Sequence, residues 1–132
     1  MLEILETLPL IAIIPVTPES NTVRFKLDDI LGMAKDYSHS ACIGLSLLDK
    51  NGIPDNALQH ITLLLASREE TKDYALQLHE ERWWLWLRCN AESNTEELSI
   101  LLEQLLALSR YIISQVSVIT SLDRHAIGKV VI

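Results

Sequence analysis

Apolar and polar side chains alternate with period two over residues 22–27, placing Val23, Phe25 and Leu27 on one side and Arg24 and Lys26 on the other, the pattern of a half-buried strand. The apolar run at residues 10–16 precedes it across the turn-forming Pro18-Glu19-Ser20-Asn21, which predicts a hairpin. Before that, Leu2, Leu5 and Leu8 suggest a short helix that Pro9 ends. Residues 28–39 fit a short helix as well as a strand with turns. The nearly unbroken apolar stretch at 41–48, closed by Asp49-Lys50-Asn51-Gly52, predicts a strand.

A helix is expected over about residues 54–70, with Leu58, Ile61, Leu64 and Leu65 as its buried stripe and Asp55 at the favourable end of the dipole. Residues 73–89 predict a second hairpin. In it Tyr74, Leu76 and Leu78 alternate with Ala75, Gln77 and His79, and Glu80-Glu81-Arg82 turns the chain. Ser93-Asn94-Thr95-Glu96 has the form of a capping box. The helix it opens is expected over residues 95–115, burying Leu98, Leu101, Leu102, Leu105, Leu108 and Ile112 and exposing Glu96, Ser99, Glu103, Arg110 and Ser114. The tail from Val116 has mixed signals and a break at Gly128.

The fold class that follows is α+β: a small single domain over residues 1–132, whose antiparallel sheet of two hairpins and a further strand is packed by a central helix and a long C-terminal helix. The 132 residues can bury a core without disulfide or metal staples. A formal charge of −7 gives a field that repels phosphate backbones, so nucleic acid is not an expected partner. Residues 1–14 carry Glu3 and Glu6 and no basic start, unlike a signal peptide. No apolar run reaches the ~20 residues that a membrane helix needs. Cys42 and Cys89, far apart in sequence, fit reduced thiols of a cytosolic protein. An apolar share of 48% is high for a chain that must cover itself with polar groups, and suggests a surface given to partners.

The histidines at 39, 60, 79 and 125 fall in different predicted elements, without the close spacing of a zinc site. Asp28, Asp29, Asp36 and His39 form the one local cluster suited to a metal or to acid–base work, and a solvated turn accounts for it better. Phosphate-cradling loops and nucleophile elbows are absent. No enzymatic activity and no cofactor are expected. Trp83-Trp84-Leu85-Trp86-Leu87 is apolar on both faces, so something must cover each. Trp83, Leu85 and Leu87 suit the domain's helices. Trp84, Trp86 and Arg88 then point the other way, either under further elements of this fold or at a partner, for which tryptophan and arginine are favoured anchors. His79, beside Glu80 and Glu81 at the hairpin tip, is the candidate pH-sensing residue.

Ile61-Thr62-Leu63-Leu64-Leu65-Ala66, followed by Asp73-Tyr74-Ala75-Leu76-Gln77-Leu78 and then Trp84-Leu85, resembles the SsaB family of type III secretion proteins, also called SpiC, with SepD more distant. The resemblance continues through the helix at residues 97–113 and so covers the second half of the chain. Independently, the order of hairpin and capped amphipathic helix in a small acidic chain is similar to the class I type III secretion chaperones. What the resemblance implies is a regulator in the bacterial cytoplasm, at the base of the secretion apparatus. It would join a gatekeeper protein (SsaL/SepL-like) and a second small chaperone-like subunit (SsaM-like), letting translocators pass and holding effectors back. The alternatives are a homodimeric class I chaperone for one effector and, from another class, a small metal-dependent hydrolase using the Asp28 cluster.

Overall fold

The computed structural model describes Leu8 and residues 11–14, 22–37, 39–90 and 92–131, with backbone alone for 12–14 and 122–131. The short helix expected before Pro9 and the turn at 18–21 lie outside the described residues. Six strands form one antiparallel sheet: β1 (Ile11–Ile14), β2 (Thr22–Leu27), β3 (Ile30–Asp36), β4 (Ser40–Asp49), β5 (Tyr74–His79) and β6 (Arg82–Asn90), in the order β1-β2-β3-β4-β6-β5. Helix α1 (Asp55–Ala66) joins β4 to β5, and α2 (Thr95–Val131) follows β6. This is the expected α+β class.

The ambiguous stretch after Leu27 is a strand. Pairing decides it: β3 lies between β2 and β4, with Phe25 opposite Gly32 and Gly32 opposite Leu45. A β-carbon at position 32 would lie 2.3 Å from the Phe25 ring, so only glycine lets the phenyl group lie flat across β3. Asp28 begins the connecting turn at φ 58°, a left-handed conformation that aspartate tolerates better than most residues. The β5–β6 turn is tighter than expected. Glu80 and Glu81 alone make it, both at positive φ (51° and 67°), as a two-residue hairpin loop of the I′ kind requires, and Arg82 already belongs to β6.

Both helices lie on one face of the sheet. Phe25, Leu27, Ile43, Leu45, Leu85 and Leu87 from the strands meet Ala57, Ile61 and Leu65 of α1 and Leu98, Leu102, Leu105 and Ile112 of α2 in a single buried cluster. Leu58, Leu101 and Leu108 pack at its margin, only partly buried, and Leu64 is partly buried as well. Helix α1 ends at Ala66 rather than near residue 70, and a short 3-10 turn, Glu69–Thr71, carries the chain to β5.

The start of α2 is displaced by one residue from the expected capping box. Asn94, not Ser93, is the cap, its Oδ1 accepting the Glu97 amide at 2.8 Å. Ser93 Oγ instead donates to the Asn90 carbonyl at 2.8 Å. The helix also runs through Val131 rather than ending near Gln115, and Gly128 does not break it. Val116 explains the extension as far as its side chains are described: it is 4% exposed and follows Ile112 by one turn, continuing the stripe into the core.

Candidate functional site

The face of the sheet turned away from the helices carries the unusual chemistry. Strand alternation puts Trp84, Trp86 and Arg88 of β6 there, and the register sets Ser46, Gly44 and Cys42 of β4 opposite them. On β4's other side, Met33 pairs with Gly44 and Lys35 with Cys42. On the outer side of β6, edge strand β5 places Ala75 beside Trp86 and Gln77 beside Trp84. This face has its own small core. Met33 and Trp84 are each 3% exposed, yet neither belongs to the cluster beneath the helices. Trp84 stacks on Trp86 with ring centroids 6.1 Å apart, and His79 meets Trp84 edge-on at 6.3 Å.

The expected anchors therefore differ in availability. Trp84 is buried within the chain, Trp86 is partly exposed and Arg88 is exposed. The indole Nε1 atoms of Trp83, Trp84 and Trp86 are all buried without a hydrogen-bond partner among the described residues. His79 lies 3.7 Å from the Glu80 carboxylate, with 37% of its side chain exposed. The structure thus brings Trp84, Trp86 and His79 together in one aromatic row, while Arg88 stands at the far end of the β6 segment.

Charged groups border the row. Arg82 donates from Nε to Ser46 Oγ (3.1 Å) and pairs with Asp49 (2.9 Å), and Arg24 reaches Glu80 at 3.9 Å. The Lys35 ammonium lies 5.6 Å from the Trp86 ring centroid, a cation–π distance. Beside Lys35 and Trp86 runs a groove of about 430 Å³, lined also by Tyr37, Cys42, Ala75 and Gln77 among others. Sequence reading missed Lys35 and Tyr37, because residues 28–39 could not be assigned to a strand and nothing local in that segment showed which strand it would adjoin. Gln77 was placed on this face by its alternation, but its function depends on the pairing with β6.

The Asp28, Asp29, Asp36 and His39 cluster does not survive folding. Asp28 and Asp29 occupy the turn before β3 and Asp36 and His39 lie at its other end, roughly 20 Å away at the ~3.3 Å rise of a strand. Asp28 is engaged in an ion pair with Arg110 of α2. Among the described residues no group of three or more His, Cys, Asp or Glu is placed to hold a metal. Neither Cys42 nor Cys89 is in a disulfide, and burial, reinforced by nearby Cys42 and Asp36, pushes the Cys89 thiol up to about 11. Among the described residues no helix is long and apolar enough to cross a membrane.

No family model matches the chain. It is 32% identical over 109 residues to the SpiC homolog of Salmonella typhi, which covers 83% of this chain and 86% of that protein. The identity is again 32%, over 83% of this chain and 82% of the relative, to Salmonella pathogenicity island 2 protein C of Salmonella typhimurium strain 14028s. Among solved structures, the fold is similar to a chain of the heterodimeric ExoU–SpcU complex from the type III secretion system of Pseudomonas aeruginosa. The TM-score is 0.50 at 12% identity, over 80% of this chain and 83% of that one.

Proposed function

This chain belongs to the SsaB/SpiC family of type III secretion proteins, and we propose that it acts as a regulatory subunit of a gatekeeper complex, working by protein–protein binding alone. Its partners in this reading are a gatekeeper protein of the SsaL/SepL kind and a second small subunit of the SsaM kind. The complex sets the order of export, translocators before effectors, from the cytoplasmic base of the secretion apparatus. The observation that carries the reading is the match to SpiC relatives along most of both chains. The face turned away from α1 and α2, with Trp86, Arg88 and the buried Trp84 stacked against Trp86, is the docking surface. It offers tryptophan and an exposed arginine that has no ion-pair partner among the described residues, and these are side-chain types favoured at binding hot spots.

Co-purification of the tagged chain, expressed from its native operon, with mass identification of bound chains tests the proposal. Recovery of a gatekeeper protein and one further small chain is the expected result. Recovery of a homodimer holding one effector would replace it with the chaperone reading, whose self-association would fall on another surface. The α1–α2 side offers one, with Leu63 70% exposed and Tyr111 47% exposed near a smaller groove at Leu64 and Leu108.

A further inference from the structure

We propose that the groove between Lys35, Trp86 and Gln77 receives an extended, acidic segment of a protein partner; this rests on the docking role proposed above and supplies its chemistry. Charge is the first argument. The chain as a whole carries −7, yet Arg24, Lys26, Lys35, Arg82 and Arg88, five of its eleven basic side chains, stand on the face turned away from α1 and α2. Arg24 and Arg82 are neutralised by Glu80 and Asp49. Lys26, Lys35 and Arg88 have no ion-pair partner among the described residues. Lys35 lines the groove and Arg88 stands beside it on β6, so the groove is bordered by positive charge although the chain as a whole is acidic. A carboxylate-bearing segment meets these cations favourably, and a basic one is repelled by them.

Shape is the second argument. Lys35, Cys42 and Arg88 lie in one row across β3, β4 and β6. The two cations are thus two strand spacings apart, roughly 10 Å, within reach of carboxylates two to four residues apart on an extended chain. Beside that row, two residues before Arg88 on β6 and 5.6 Å from the Lys35 ammonium, the Trp86 ring forms an apolar floor held between Gly44 beneath it and Trp84 stacked against it. On the β5 side, Ala75 and Gln77 leave the groove open rather than filling it with bulk. A segment carrying two acids and an apolar side chain fits this arrangement of two cations flanking one side of an indole. A single-stranded nucleic acid could use the same cations and indole, but its continuous charge would have to approach the surrounding acidic surface.

Fluorescence anisotropy with fluorescein-labelled decapeptides tests the assignment. One probe alternates Glu with Leu, a second Ser with Leu and a third Lys with Leu, and a labelled ten-nucleotide oligo-dT is the fourth. The expected result is binding of the acidic peptide roughly tenfold or more tighter than of any other probe, weakening as salt is added. Lys35→Glu with Arg88→Glu should abolish that binding and gain the lysine peptide instead. Should the reversed variant not fold by circular dichroism, Lys35→Gln with Arg88→Gln should still lose the acidic peptide. Equal binding of the Ser and Glu peptides, preference for oligo-dT, or acidic-peptide binding that survives either double variant would overturn the assignment. Native partners that co-purify undiminished with a folded double variant would also overturn it while leaving the gatekeeper-complex reading intact. Absence of any partner with the wild type would instead remove that reading, and the peptide titration would still decide the groove.

Discussion

Trp86 lies across Gly44 of the neighbouring strand so closely that a β-carbon at position 44 would come within 2.7 Å of the indole ring. The glycine sets the ring's height and thus the floor of the groove on the face turned away from α1 and α2. Gly44→Ala should lift the ring, shift tryptophan emission and cost about 1–3 kcal/mol through overpacking. Chemical denaturation followed by fluorescence measures both, and an unchanged spectrum with unchanged stability would contradict the contact.

Trp84 and Trp86 should part company when truncated. Trp84 is 3% exposed, so Trp84→Ala is expected to cost about 3–5 kcal/mol of folding stability. Trp86→Ala, at a partly exposed position, should cost clearly less and be felt mainly in partner binding. Urea unfolding of the two single variants distinguishes them. Equal losses would mean that Trp86 is as much a part of the fold as Trp84.

In α2, Ser109 is fully buried with its hydroxyl unpartnered among the described residues. Removing an unsatisfied buried hydroxyl relieves its desolvation cost, so Ser109→Ala should be neutral or stabilising by up to ~1 kcal/mol. Leu105→Ala, one turn earlier and equally buried, should lose about 2–5 kcal/mol. Thermal melts of both variants check the contrast. A destabilised Ser109→Ala would show that the hydroxyl has a partner after all.

The helix cap gives a sharper distinction. Asn94→Ala should cost ~1 kcal/mol by orphaning the Glu97 amide, whereas Ser93→Ala removes only a bond to the Asn90 carbonyl and should cost less. The reverse order in denaturation midpoints would restore the cap to Ser93.

Stability should decline on the alkaline side. Cys89 is held at about 11 and Tyr74 is also raised, in both cases chiefly by burial. Each group therefore favours the neutral form more strongly when folded than when unfolded. Their contribution is fully present below the unfolded values, near 8.5 for a thiol and 10 for a phenol, and is lost as pH rises through the folded ones. Melting temperature should fall from about pH 8.5 to pH 11, and Cys89→Ala should flatten the first part of that fall. The same shift makes Cys89 slow towards iodoacetamide at pH 8. Rapid alkylation at position 89, located by peptide mapping, would count against its burial.

What could be read from the chain alone was whatever a local period determines. Phe25 and Leu27 in one strand, Ile61 and Leu65 in one helix, and Leu98, Leu102, Leu105 and Ile112 along another repeat at the spacing of their own element, and burial followed that spacing. The apolar character of both faces of β6 was equally visible, because the alternation fails within five consecutive residues. Beyond that, neighbours distant in sequence decided the outcome. Ile30–Asp36 became a strand because β2 and β4 supply hydrogen bonds on both sides, and that pairing carried Asp28 and Asp36 to opposite ends and dissolved a cluster that existed only in sequence. Ser93 and Asn94 are both good caps by type, and the exit of the chain from β6 chose between them. The groove belongs wholly to tertiary structure: Lys35, Cys42, Trp86 and Gln77 come from four strands, and only the cross-strand register sets a cation beside an indole.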